Sequence, residues 1–194
     1  METNKEAFSG AIALWTEWNS KINVVSRKDI DCLYEHHILH SLSIGMYRPF
    51  EAGETVLDLG TGGGFPGIPL AMAFPQTRFT LCDSIGKKVK VASAVAEGLG
   101  LKNVTCVNAR AEGLPETFDW VVSRAVTSLD NFYPWVRGKF RKGILYLKGG
   151  DVNEEISVLC ARYRLDPSKI SAIPVPDYLP DPFFDGKFIL HLRP

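Results

Sequence analysis

Between Thr55 and Lys148 the sequence alternates short apolar runs with amphipathic stretches, and this alternation restricts the fold more than any other feature. The runs at 55–59, 78–82, 103–107, 120–123 and 144–148 are short and apolar, bounded by Gly, Asp or Asn, and read as buried strands. Helical stretches lie between them. One runs from about Pro66 to Phe74, with its proline in the first turn, where no amide partner is needed. A second covers Ile85 to Leu99, with apolar positions 85, 89, 92, 95, 96 and 99 on one face. A third covers roughly Ser128 to Lys139. Strands joined through helices must cross over and run parallel, so an α/β doubly wound sheet is predicted. The tail breaks the pattern. After a helix near Asn153 to Tyr163, the runs 170–173 and 188–192 are joined only by a loop holding Pro174, Pro176, Pro180 and Pro182. Without a crossover helix they pair antiparallel or lie apart. The expectation is a mostly parallel seven-stranded sheet ending in an antiparallel hairpin.

Upstream, Phe8, Ala11, Ile12, Trp15 and Trp18 recur at helical spacing, and a second helix is predicted from about Lys28 to Leu42. We therefore expect a helical cap over residues 1–50 on a domain spanning 51–194, the two forming one compact unit. A chain of 194 residues buries enough surface to need no disulfide or metal staple. Its 22 basic and 22 acidic side chains balance, so overall charge names no polyanionic partner. No apolar run approaches membrane-spanning length, and Met1–Glu6 lacks the basic and apolar parts of a signal peptide, so a cytoplasmic monomer is expected. Cys32, Cys82, Cys106 and Cys160 are scattered, without C-x-x-C spacing. His36, His37 and His40 include an i,i+4 pair, but H-E-x-x-H is missing and no third ligand is evident, so no metal is expected.

The stretch Asp58-Leu59-Gly60-Thr61-Gly62-Gly63-Gly64-Phe65-Pro66-Gly67 carries the chemistry. Glycines after a first strand let the backbone turn tightly and approach a ligand. Gly62, Gly64 and Gly67 satisfy the dinucleotide pattern G-x-G-x-x-G, while Gly60, Gly62 and Gly64 satisfy the methyltransferase pattern G-x-G-x-G. Asp83, closing the second strand, suits ribose hydroxyls under either reading. Asp58 discriminates: its carboxylate would answer the amino group of S-adenosylmethionine and repel a pyrophosphate. Ala111 and Glu112 come after the third strand, where they would meet the adenine edge. The terminal hairpin fits the Rossmann-like class I fold of S-adenosylmethionine-dependent methyltransferases, and no second half-sheet is left for a nicotinamide.

Residues just beyond the fourth strand narrow the acceptor. An exocyclic amine acceptor calls for an Asn/Asp-Pro-Pro-aromatic run, but the chain reads Ser123-Arg124-Ala125-Val126. Attack on a pyrimidine carbon needs a cysteine, and none lies between Cys106 and Cys160. Guanine N7 fits better, since its lone pair is free and no general base is required. Arg124 is a poor base but a good ligand for guanine O6, phosphate or cofactor. Lys87, Lys88 and Lys90 crowd the start of a helix against its dipole, which points to an external anion. Lys139, Arg141, Lys142 and Lys148 form a second basic group; Lys87, Lys88, Arg124 and Lys148 are the candidate RNA contacts.

The run Val56 to Leu70, and above all Phe65-Pro66-Gly67-Ile68-Pro69, resembles the first motif of the RsmG (GidB) family. Leu81-Cys82-Asp83-Ser84, Gly86-Lys87-Lys88, Ala109-Arg110-Ala111-Glu112, Ser123-Arg124-Ala125 and Leu147-Lys148-Gly149 support the resemblance, as do Trp18-Asn19, Ile22-Asn23-Val24 and His37 to Leu42. It implies methylation of guanine N7 in 16S ribosomal RNA of the small subunit, with S-adenosylmethionine held by Gly60, Phe65, Ala111, Glu112 and Arg124, and Asp83 at its ribose. Val25 and His40 depart from the threonine and aspartate expected there. The alternatives are a small-molecule methyltransferase, a nicotinamide-dependent oxidoreductase and a non-catalytic RNA-binding module.

Overall fold

The computed structural model describes residues 4–114 and 116–194. Its centre is one seven-stranded sheet: β1 (Thr55–Leu59), β2 (Arg78–Asp83), β3 (Val104–Asn108), β4 (Phe118–Arg124), β5 (Phe140–Gly149), β6 (Ile170–Pro174) and β7 (Lys187–Leu192). The strand order is β3-β2-β1-β4-β5-β7-β6. β1 to β5 pair in parallel, whereas β7 runs antiparallel to both β5 and β6, as the helix-free tail predicts. Beside β1 the winding reverses, with β2 and β3 on one side and β4 and β5 on the other. In open α/β sheets the crevice at the carboxyl ends of such strands is where ligands bind.

The helices are α1 (Ser9–Lys21), α2 (His40–Tyr47), α3 (Gly67–Ala73), α4 (Gly86–Gly98), α5 (Leu129–Val136) and α6 (Val152–Tyr163). Two sequence expectations change. The helix expected over Lys28 to Leu42 is a 3-10 turn at Ile30–Cys32 and a π-helical stretch at Leu33–Leu39, running on into α2 as far as Tyr47. Its apolar spacing sets which face is buried but not how tightly the backbone winds. The helix expected to reach Lys139 stops at Val136, and Gly138 just beyond it sits in the left-handed region at φ 80°.

Trp15, Leu33, Ile38 and Leu42 join Val56, Phe79 and Trp120 in one buried cluster, so the N-terminal helices share the core beneath the sheet. A second cluster, with Leu57, Val121, Phe132 and Tyr146, fills the opposite face. Alternate residues of β1 serve the two clusters, as strand periodicity requires.

Candidate active site

A cleft of about 490 Å³ opens at the carboxyl ends of β1, β2 and β4. Gly60, Asp83, Ala111, Glu112 and Arg124 line it, so five of the nine candidate cofactor residues meet in one cavity, with Lys88 at its margin. Asp58, Gly62, Gly64 and Phe65 stand outside its lining. Phe65 is buried, carrying the Trp15 ring on it at 4.3 Å and the Arg124 guanidinium at 5.0 Å.

The loop after β1 is shaped around Asp58. Its Oδ2 accepts from Thr61 Oγ1 at 2.6 Å and from the Gly67 amide at 2.8 Å. Gly67 opens α3, so this oxygen caps the helix. A Cβ at Gly67 would stand 2.7 Å from that same oxygen, which is why the position takes glycine. Asp58 Oδ1 is buried and has no hydrogen-bond partner among the described residues. Burial drives the Asp58 pKa up to about 7, against the donors Thr61 and Gly67 and the nearby charge of Arg124. An unpartnered buried carboxylate oxygen beside a glycine loop fits a ligand ammonium group, which would satisfy it and restore its charge.

Asp83 is arranged differently. Its Oδ2 accepts from the Gly62 amide at 2.9 Å and its Oδ1 from the Ile85 amide at 2.8 Å, which fixes the carboxylate at the cleft wall. Each oxygen keeps a second lone pair for a hydroxyl. Gly60 adopts φ 74°, and a Cβ there would meet Val126 at 2.4 Å, so the loop and the segment after β4 close on each other only across a glycine. Ala125 is also left-handed at φ 47°, and the buried Tyr146 hydroxyl holds the turn, accepting from the Val126 and Thr127 amides at 3.1 Å.

The basic candidates separate. Lys87 and Lys90 are exposed and Lys88 half-buried at the start of α4, facing solvent and the cleft. Lys148 is engaged internally: its Nζ lies 2.7 Å from Glu155 and donates to the Thr127 carbonyl at 3.1 Å. Lys139, Arg141 and Lys142 lie before or within the first residues of β5, at the far end of the sheet from the glycine loop, and turn to Leu114, Asp119 and Glu54.

Sequence reasoning missed the supports. Trp15 Nε1 donates to the Gly63 carbonyl at 2.7 Å, so α1 props the glycine loop from below. His36 Nδ1 and His37 Nε2 each lie 2.5 Å from Asp29, and His37 Nδ1 lies 3.0 Å from Arg124 Nη2. The i,i+4 spacing of His36 and His40 is that of a metal pair, whereas in the structure the adjacent His36 and His37 share one carboxylate. His40 is buried against Phe184, its Nε2 without a hydrogen-bond partner among the described residues and its pKa lowered by burial to about 3. Among the described residues no group of His, Cys, Asp and Glu could hold a metal ion.

Residues 4–176 match the family described as GidB: rRNA small subunit methyltransferase G. The chain is 50% identical over 188 residues to ribosomal RNA small subunit methyltransferase G of Flavobacterium psychrophilum, covering 93% of this chain and 86% of that one. It is 54% identical over 162 residues to the protein of the same name from Bacteroides fragilis, covering 79% of each. Among solved structures, magnesium protoporphyrin IX methyltransferase of Synechocystis with bound SAM aligns over 100% of this chain and 98% of its own, at TM-score 0.64 and 14% identity. A SAM-dependent methyltransferase of Aquifex aeolicus aligns over 78% and 88%, at TM-score 0.59 and 16% identity. At such identities the structures speak for the fold, and the relatives speak for the family. With its glycine loop, paired acids and terminal hairpin accounted for, the chain belongs to the ribosomal RNA small subunit methyltransferase G family.

Proposed function

We propose that this chain transfers the methyl group of S-adenosylmethionine to N7 of a guanine in 16S ribosomal RNA of the small subunit. The observation that carries the cofactor is the unpartnered Asp58 Oδ1, buried at the glycine loop that also holds Asp83. Asp58 would accept from the amino group, Asp83 from the ribose hydroxyls, and Ala111 with Glu112 would border the adenine, all but Asp58 lining one cleft. When bound, the cofactor supplies a sulfonium-activated methyl group. Guanine N7 already carries a free lone pair, so the protein needs to position the base in line rather than remove a proton. Arg124 lines the cleft and stays cationic, its pKa lowered by burial only to about 10. It would donate to guanine O6, leaving N7 clear. Lys88 lines the cleft and Lys87, exposed beside it in α4, would join it on the RNA backbone, whose phosphates recruit lysine without reading sequence. Lys148, paired with Glu155, would reach RNA only by giving up that partner.

A monomer acting in the cytoplasm, built as a cap over 1–50 on a domain spanning 51–194, completes the proposal. Among the described residues no helix is long and apolar enough to cross a membrane.

Titration calorimetry tests the cofactor, with S-adenosylhomocysteine against NAD on the wild type and on Asp83→Ala. Binding of S-adenosylhomocysteine alone, weakened in the variant, is expected; binding of NAD alone would overturn the reading. Methyl transfer to 16S RNA, free and in the small subunit, with nucleoside analysis of the product, is expected to yield 7-methylguanosine. Another methylated nucleoside would overturn the N7 assignment.

A further inference from the structure

Arg124 is held from two sides. The Phe65 ring lies beneath its guanidinium at 5.0 Å, and His37 Nδ1 meets its Nη2 at 3.0 Å. Guanidinium nitrogens only donate, so His37 Nδ1 must present a lone pair. That condition is met on the other side of the ring. His37 Nε2 lies 2.5 Å from Asp29 Oδ2, and an ionised carboxylate only accepts, so the proton sits on Nε2.

Asp29 is well placed to stay ionised. Burial pushes its carboxyl up, but hydrogen bonds from His36 and His37 outweigh burial and hold it below the usual carboxylate value. His37 stays neutral, its pKa lowered to about 4 by burial and by the Arg124 charge, with Asp29 opposing. His36 completes the anchor. Its Nδ1 takes the other Asp29 oxygen at 2.5 Å, and its ring lies flat on Phe183 at 3.5 Å with an interplanar angle of 5°. The chain of contacts thus runs from the C-terminal loop through the N-terminal helices to the cleft.

We propose that Asp29 and His37 form a relay that aims Arg124 at the acceptor base: Asp29 fixes the His37 tautomer, and His37 accepts one guanidinium hydrogen bond so that the remaining donors face the cleft. This rests on the reading of Arg124 as the guanine contact. His37 is a positioning residue, acting on RNA only through Arg124. Its loss is expected in methyl transfer rather than in cofactor affinity.

The test combines imidazole nitrogen NMR on the full chain with calorimetry and methyl-transfer kinetics. In the wild type the His37 proton is expected on Nε2. In Asp29→Leu His37 Nε2 loses its acceptor, so nothing on that side fixes the ring's tautomer or its orientation toward Arg124. That variant and His37→Phe are expected to lower kcat/KM for RNA by about 10- to 100-fold, with the S-adenosylhomocysteine Kd unchanged. His37→Asn keeps a side-chain acceptor close to the Nδ1 position and is expected to recover most of the rate. Thermal unfolding of each variant separates misfolding from misplacement. Equal transfer by His37→Phe and His37→Asn would overturn the relay, as would an Asp29→Leu protein with unchanged tautomer and rate. A wild type that binds S-adenosylhomocysteine yet methylates no RNA overturns instead the reading on which the relay rests, and the relay's role with it. The tautomer measurement tells the two failures apart.

Discussion

Two buried carboxylates stand at opposite ends of β1, four positions apart, and the chain treats them in opposite ways. Glu54, just before the strand, is 4% exposed and crowded with donors. Arg48 Nη2 at 2.9 Å, Lys142 Nζ at 2.6 Å and Trp120 Nε1 at 3.0 Å reach its Oε1, and the Glu51 amide reaches Oε2 at 2.7 Å. Burial pushes its carboxyl up, but Lys142, the Glu51 amide, Trp120 and Arg48 outweigh burial and bring it down to about 2. Asp58, near the strand's other end, is 0% exposed and among the described residues has donors on one oxygen only. Burial therefore does not by itself mark a site. For a carboxylate beside a glycine loop, an incomplete set of partners is the stronger mark, because a buried oxygen without a donor costs stability unless something else binds there.

Glu54 is where a substitution costs the fold most. Glu54→Gln leaves Arg48 and Lys142 without their buried counter-charge. We expect a loss of about 3 kcal/mol, the lower end for uncovering one member of a buried pair, because Lys142 keeps contact with water. Urea unfolding measures it, and S-adenosylhomocysteine affinity is expected to stay at the wild-type level. A loss no larger than that of an ordinary surface substitution would show that the two ends of β1 do not differ in this way.

Asp58→Asn is the counterpart. The amide oxygen can keep the Thr61 and Gly67 donors, but the charge is gone. Affinity for S-adenosylhomocysteine is expected to fall by about 10- to 100-fold, or roughly 1.4–2.7 kcal/mol. At about pH 8 the ligand-free variant is expected to be no less stable than the wild type, because it no longer holds a buried charge. Destabilisation on the scale of Glu54→Gln, with affinity intact, would make Asp58 a structural carboxylate.

The Asp58 end of this comparison was legible in the chain and the Glu54 end was not. Asp58, Gly60 and Asp83 are marked by local signals: an apolar run, a glycine cluster and an acid closing the next strand. The terminal hairpin was readable for the same reason, since the lack of helical periodicity between two apolar runs is a local property. Glu54 reads as one more loop acid, and its partners Trp120 and Lys142 lie 66 and 88 positions away. His37 likewise meets Arg124 across 87 positions and Trp15 meets Gly63 across 48, distances at which periodicity carries no information. Lys148 stands between the two. Its place in a basic group marks it for RNA, whereas its pairing with Glu155 of α6 depends on how β5 and α6 pack, which no local signal carries.

The pH dependence of stability sharpens the contrast, because the two shifts have opposite signs. Glu54 binds its proton less readily folded, at about 2, than at its ordinary 4.5. Its contribution is complete above the ordinary value and is lost as pH falls toward the folded one. Asp58 binds its proton more readily folded, at about 7 against an ordinary 3.8. Its contribution is complete below the ordinary value and is lost as pH rises through the folded one. Unfolding measured across pH should therefore show two windows of opposite slope, overlapping only between 3.8 and 4.5. Glu54→Gln is expected to flatten only the acidic one and Asp58→Asn only the one ending near neutrality. A single window removed by either substitution would mean that the two carboxylates titrate together.

Thr61→Val is the smallest change and asks what the half-completed partner set at Asp58 is worth. Thr61 is buried, and its hydroxyl is the only side-chain donor to Asp58 among the described residues, at 2.6 Å. Valine keeps nearly the same shape, so packing is preserved while Oδ2 is left with the Gly67 amide alone. A hydrogen bond to a charged acceptor is about twice as strong as one to a neutral acceptor, so the cost should depend on whether Asp58 is ionised. We expect a loss of about 1–2 kcal/mol above the Asp58 pKa, shrinking as pH falls below it. With one donor fewer, the Asp58 pKa itself should rise, which carboxyl NMR would track directly. If the cost of Thr61→Val keeps its full high-pH size on both sides of neutrality, Asp58 is ionised throughout. In that case the ammonium of the cofactor would meet a carboxylate that is already ionised, and the unpartnered Oδ1 would be a charge held ready rather than one created by binding.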